Sequence, residues 1–225
     1  MPNPQWTARM KLYSYWRSQA TYRVRIAMRL KGLSAQVTTL DLLKGDQFTG
    51  SYHAVNPEGV VPSLIDGDGP ALVQSLAILE YLDEKYPDPA LLPKDLRDRA
   101  HVRALGQMLV ADAHPLVVPR VRKYLEEELH LDEPTRNTWV AHWMGLGARS
   151  VEEVLARDPR TGKFCCGDSV TMADLCLVPH LVTMKMSGGD LSKFPIAARI
   201  LDACMQIDAF ALEHPSRQPD FPKAG

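Results

Sequence analysis

Residues 10–32 read MKLYSYWRSQATYRVRIAMRLKG, and the reading of this stretch decides the fold. Residues 10–16 are dense in aromatic and apolar side chains, the composition of a buried strand. Arg17-Ser18-Gln19-Ala20 interrupts it. Over residues 21–31 the period changes: Val24, Ala27 and Met28 recur at i, i+3 and i+4, one apolar face of a helix. Gly32 follows at once, the residue type best able to take the positive φ that ends a helix. Working outward, residues 36–42 read as a second strand, which makes a βαβ unit. Asn56-Pro57 begins a turn, and residues 60–65 read as a third strand. Asp66-Gly67-Asp68-Gly69 is hairpin chemistry leading into a short fourth strand ending near Val73. Residues 75–85 are helical, with Leu76, Leu79 and Leu82 spaced for one buried face.

Residues 86–93, YPDPALLP, carry three prolines, and everything after them has helical period. Such a switch marks a domain boundary. The expected division is an α/β domain over 1–86, a linker over 87–94, and an all-α domain over 95–225. Helices are expected over 95–113, 115–130, 133–157, 171–185 and 195–212. One helix start is well specified. Thr171 stands at the N-cap with Asp174 three residues on, a capping box with Asp in place of Glu, and Val170 and Leu175 take the hydrophobic-staple positions.

Of the 225 residues, 45% are hydrophobic and 24% charged, enough for a sizeable core. The net charge of −1 argues against a basic nucleic-acid module. No apolar run reaches bilayer length, and the start lacks a signal-peptide pattern, so a cytoplasmic protein is expected. The four cysteines are expected to be reduced, with Cys176 and Cys204 buried inside apolar helical patterns. Charge is unevenly spread: Arg9, Lys11, Arg17, Arg23, Arg25, Arg29 and Lys31 all precede the first acid, Asp41. A transit peptide has this bias, but the stretch reads as folded core. A local positive field suited to a small anionic ligand is the favoured account.

Several chemistries are missing. There is no G-x-G-x-x-G, Walker A loop, H-E-x-x-H, G-x-S-x-G or C-x-x-C. The seven histidines show no metal-ligand spacing, so no metal site is expected. Catalysis must then rest on a bound cofactor or a lone hydroxyl.

The residues from Tyr13 to Gly32 resemble the signature of the zeta-class glutathione transferases, which include the maleylacetoacetate and maleylpyruvate isomerases. So do Asn56-Pro57, Val61-Pro62, Gln74-Ser75, His114-Pro115, the run from Gly167 to Pro179, and His214-Pro-Ser-Arg-Gln-Pro-Asp220. The resemblance runs from about residue 10 to 220. It implies a thioredoxin-like N-terminal domain, an all-α C-terminal domain, glutathione as cofactor and a homodimer. It also implies roles. Val61, before a cis Pro62, would pair through its backbone with the cysteinyl unit of glutathione. Gln74 and Ser75, at a helix start, would hold the γ-glutamyl carboxylate, and Gln47 and His114 the glycyl end. Ser18, beside Arg17 and a helix N-terminus, would favour thiolate over thiol. In the isomerases the thiolate adds to a cis double bond, the single bond rotates, and elimination returns the trans product.

The pattern also departs from the family. The usual Ser-Ser-Cys or Ser-Gly-Thr is Ser18-Gln19-Ala20 here, so Ser18 is the hydroxyl left in the tripeptide. After His114-Pro115, where the isomerases tend to carry an Asn pair, stand Val117 and Val118, followed by Pro119 and Arg120. The position resembling their carboxylate-binding arginine is Met186, beside Lys185. Arg17, Arg120, Lys185 and Met186 are the candidates on the substrate side. Three readings follow: a cis–trans isomerase of an unsaturated diacid from aromatic catabolism, a transferase for small apolar electrophiles, or a non-catalytic binding protein of the same fold.

Overall fold

The computed structural model describes residues 10–222, and Arg9 lies outside them. The chain divides into two compact units, Met1–Ala90 with Asp208–Gly225 and Leu91–Ile207.

The first unit is built on a four-stranded mixed sheet in the order β2-β1-β3-β4. Strand β1 (Met10–Ser14) runs parallel to β2 (Gln36–Thr39) and antiparallel to β3 (Ser63–Asp66), which is antiparallel to β4 (Leu72–Val73). In the β1–β3 register Ser63 lies opposite Tyr13. Helix α1 (Gln19–Leu30) links the parallel pair, and α3 (Ser75–Lys85) packs beside it. Between β2 and β3 lie a 3-10 turn (Asp46–Phe48) and the short α2 (Gly50–His53).

Helix α1 ends as its sequence foretells. Gly32 has φ 64°, its amide donates to the Arg29 carbonyl at 3.1 Å, and the Leu33 amide reaches back to Met28 at 2.8 Å. Those two bonds are a Schellman motif, which satisfies carbonyls that the helix leaves open. The tail then returns to this unit from Asp208. Helix α9 (Asp208–Ala211) packs on α1, and the Tyr22 hydroxyl donates to the Phe210 carbonyl at 2.8 Å.

The second unit is helical: α4 (Leu96–Val110), α5 (Pro119–Glu127), α6 (Glu133–Arg157), α7 (Met172–Met186) and α8 (Pro195–Met205). Residues 115–130 do not form one helix. A 3-10 turn, His114–Leu116, comes first, and Pro119, which has no N–H to give, restarts the chain at a helical first position. Residues 195–212 also divide, at Gln206 and Ile207, into α8 and α9.

Helix α7 is the centre of this unit, buried from Met172 through Val182 and packed on α4, α6 and α8. A helix buried all round cannot satisfy its first amides with water. The capping box does so: Asp174 takes the Thr171 amide at 2.7 Å and its hydroxyl at 2.9 Å, and its other oxygen takes the Cys165 amide at 2.9 Å. Burial pushes the Asp174 carboxyl above its ordinary range, against the pull of these donors. Asp174→Ala strands two buried amides, and the expected cost is at least about 3 kcal/mol. The urea midpoint should fall by the corresponding amount; a midpoint within error of the parent would show that the cap contributes nothing.

Candidate active site

The topology brings the N-terminal candidates to one edge of the sheet. Strands β1 and β4 are both antiparallel to β3, so they run in the same direction and end on the same side. Helices α1 and α3 begin just after those ends, carrying Ser18 and Gln74-Ser75. β3 starts on that side, after the Val61-Pro62 peptide, which is cis. β2 finishes there as well and leads toward Gln47. Four chain segments thus present polar groups at the carboxyl ends of parallel strands, the usual place for ligands in open α/β sheets.

Ser18 is the N-cap of α1. Its Oγ accepts from the Thr21 amide at 3.2 Å, its amide donates to the Tyr15 carbonyl at 3.0 Å, and its carbonyl accepts from Tyr22 at 3.0 Å. Capping and chemistry do not compete here. A hydroxyl has one hydrogen and two lone pairs, and the cap uses a lone pair, so the O–H remains a donor held in place. Arg17 beside it is exposed.

The first turns of α1 and α3 carry no acid, and α3 has no side-chain cap at all. Four of the five long helices of the other unit differ, α5 being the exception: Asp95, Asp132 and the Thr171–Asp174 box cap α4, α6 and α7, and Glu152 takes the Ile196 and Ala197 amides of α8. An uncapped, acid-free start leaves amides and the positive end of the helix dipole for an anion. Arg23, missed as a site residue by sequence reasoning, strengthens this start. It is fully buried, and its Nη1 donates to the Ser75 hydroxyl at 3.1 Å. A charged residue inside an otherwise apolar helix face was the available signal.

Gln74 has φ 65° and ψ 117°, a conformation L-residues rarely adopt, and its side-chain amide donates to Glu58 at 2.8 Å. Gln47 is buried; its Nε2 donates to the Leu42 carbonyl at 3.2 Å, and its Oε1 has no hydrogen-bond partner among the described residues. The Val61 turn is fastened from below. Asn56 Nδ2 donates to the Val60 carbonyl at 2.9 Å and its Oδ1 takes the Glu58 amide at 3.0 Å. The Tyr52 hydroxyl donates to the same Val60 carbonyl at 2.5 Å and shares a 2.8 Å bond with Ser63.

Part of the basic run is neutralised within the fold. Lys31 is buried with its Nζ on Asp83 at 2.9 Å and on the Tyr86 and Pro89 carbonyls at 2.6 and 2.8 Å. Arg25 and Arg29 both meet Glu213, and Arg25 also donates to Ser14 at 3.0 Å. Burial lowers the Arg25 guanidinium to about 10, with Glu213 opposing the shift. Lys11 lies over the Tyr13 ring, 4.6 Å from its centroid. For Arg25, Arg29 and Lys31 the neutralising acids come from distant sequence, while Arg17 and Arg23 flank the edge described.

His114, Arg120, Lys185 and Met186 belong to the second unit. His114 opens the 3-10 turn, Arg120 is exposed in the first turn of α5, and Lys185 and Met186 are exposed in the last turn of α7. Cys165, Cys176 and Cys204 are buried and in no disulfide, and burial holds the Cys165 and Cys204 thiols well above the ordinary range. Half-buried Cys166 shifts the same way, so these thiols are poor nucleophiles. Among the described residues no His, Cys, Asp or Glu cluster is placed to hold a metal, and no helix is long and apolar enough to cross a membrane.

Comparison with known proteins now bears on this geometry. The glutathione S-transferase N-terminal domain family matches residues 12–90. Maleylpyruvate isomerase of a Ralstonia species is 39% identical over 211 residues, 94% of this chain and 99% of that one. The crystal structure of maleylacetoacetate isomerase from Methylobacterium extorquens AM1, with bound malonate and glutathione, superposes with a TM-score of 0.93 at 44% identity, covering 95% of this chain and 100% of the other. A holo maleylpyruvate isomerase, described as a bacterial zeta-class glutathione S-transferase, gives 0.91 at 38%, covering 94% and 100%.

The turn before β3 supplies a test of local design. Asn56→Ala removes one donor and one acceptor, an expected loss of about 2 kcal/mol. Amide exchange should speed up over residues 58–62 while the β1 amides keep their protection. Unchanged exchange in that turn would show that Asn56 does not hold it.

Proposed function

This chain belongs to the zeta-class glutathione transferase family, and from that membership we propose that it is a glutathione-dependent cis–trans isomerase of the maleylacetoacetate or maleylpyruvate type. The single observation that carries the reading is the convergence, at one sheet edge, of the Ser18 hydroxyl, the acid-free starts of α1 and α3, and the Val61 turn.

The residues fit the tripeptide. The open first turn of α3, with Arg23 behind Ser75, suits the γ-glutamyl carboxylate. The Val61 backbone precedes the β3 ladder and suits pairing with the cysteinyl unit. Gln47, whose buried Oε1 lacks a partner, suits the glycyl end, with His114 assigned there by family pattern. Bound glutathione supplies a thiolate that adds to the cis double bond and leaves after the resulting single bond has rotated. Ser18 donates its hydroxyl hydrogen to that sulfur while its lone pair stays on the Thr21 amide. The α1 dipole and Arg17 favour the anion further. Arg17, Arg120 and Lys185 are assigned to the carboxylates of an unsaturated diacid.

A second reading has its own observation. Val117, Val118 and Met186 stand where the isomerase pattern is polar or basic, which favours a transferase for small apolar electrophiles. A homodimer in the cytoplasm completes the proposal, following the family pattern.

Calorimetry with glutathione and the isomerisation of maleylacetone, followed by absorbance, separate these readings. Binding with isomerisation supports the first, binding without it the second, and no binding at millimolar glutathione leaves a binding protein of another kind. Ser18→Ala should lower kcat on the order of a hundredfold, as loss of one oriented donor does, with little change in glutathione affinity; a parental kcat removes Ser18 from the mechanism. Met186→Arg should raise activity on maleyl diacids, because a guanidinium grips a carboxylate bidentately. No gain would mean that Met186 does not face the acid.

A further inference from the structure

The motif ending in Gln218-Pro-Asp220 has no part in the roles assigned above. Yet Asp220 reaches back 204 positions to the turn that presents Arg17 and Ser18, and its Oδ2 accepts from the Trp16 amide at 2.9 Å. That turn is closed by the bond from the Ser18 amide to the Tyr15 carbonyl at 3.0 Å, so Trp16 is its second residue. An amide at that position points outward from the turn and needs an acceptor from elsewhere. A carboxylate is the strongest acceptor that a side chain offers.

Phe221 grips the same residue from the other side. Its ring meets the Trp16 indole edge-on, centroids 4.9 Å apart and planes at 83°. Consecutive tail residues therefore hold Trp16 by main chain and by side chain. The tail is itself fixed to α1: Glu213 pairs with Arg25 and Arg29, and the Phe210 carbonyl takes the Tyr22 hydroxyl. The other Asp220 oxygen, Oδ1, is buried with no hydrogen-bond partner among the described residues. Burying a carboxylate for one bond is unfavourable by itself.

We infer that Asp220 is a positioning residue for Ser18, clamping the Tyr15–Ser18 turn through the Trp16 amide so that the hydroxyl stays aimed. The inference rests on the role given to Ser18 above. Asp220→Ala and Asp220→Asn test it against the parent, since the asparagine oxygen can still accept from Trp16 whereas alanine cannot.

Three readouts are compared on each variant: amide exchange of residues 16–21 without ligand, the ultraviolet thiolate absorbance of bound glutathione against pH, and kcat with maleylacetone. Asp220→Ala should speed exchange in the turn, raise the thiol midpoint by roughly half a pH unit and lower kcat roughly tenfold, the scale of a displaced catalytic group. Glutathione affinity should stay within about twofold of the parent, and Asp220→Asn should lie near the parent in all three. If alanine prevents folding, Phe221→Ala loosens the same residue and should move the readouts in the same direction. Faster exchange with parental thiol midpoint and kcat overturns the inference, as does an asparagine variant as impaired as alanine. A parent that shows no bound thiolate overturns the reading of Ser18 itself, and the exchange measurement then reports a purely structural clamp.

Discussion

One hydrogen bond, from the Ser18 amide to the Tyr15 carbonyl, turns strand β1 into helix α1 within a single β-turn. The first unit depends on it. Because the reversal is so tight, α1 starts at the strand's end and its positive pole stays at the sheet edge instead of drifting outward. β4 repeats the arrangement, with Gln74 alone between Val73 and the first residue of α3. Gln74 takes a conformation at φ 65° that a longer connection would not require. Tight strand-to-helix reversals thus place two acid-free helix starts, one of them without a side-chain cap, side by side at the sheet edge.

The charge pattern shows how one observation can have more than one source of counter-charge. A run of basic residues without acids does imply missing counter-charge. Sequence order suggested that an external anion supplies it. In the structure Glu213 and Asp83 supply it to Arg25, Arg29 and Lys31 from far along the chain. A buried cation requires a partner with good geometry, or burial shifts or expels its charge. Lys31, with a carboxylate and two carbonyls on its three hydrogens, meets that demand in full. Arg23 donates to the Ser75 hydroxyl, which places its guanidinium behind the start of α3.

What was legible in the sequence is local. The end of α1 at Gly32, the Thr171–Asp174 cap, the β-hairpin near Gly67 and the span of α3 are all set by residues within a few positions of one another. What was not legible depends on distant partners. The division between α8 and α9 and the return of the tail to α1 are tertiary effects that periodicity cannot report. The candidate site divides in the same way. Ser18 could be named from its helix start and family pattern, whereas Arg23 and Asp220 bond to partners 52 and 204 positions away that no local pattern identifies.

The departures in the second unit bear on more than substrate polarity. Val118 is the N-cap of α5, where it offers no side-chain bond to the helix amides, and Pro119 supplies the first helical residue. An asparagine there would both cap the helix and face an acid with an amide; valine does neither. Replacing the polar pair by valines therefore changes how α5 begins together with what its start can recognise. Arg120, in that first turn, places a cation at the positive end of the helix dipole. The start of α5 is therefore electrostatically opposite to those of α4, α6 and α7, which carry an acid in the cap or first turn.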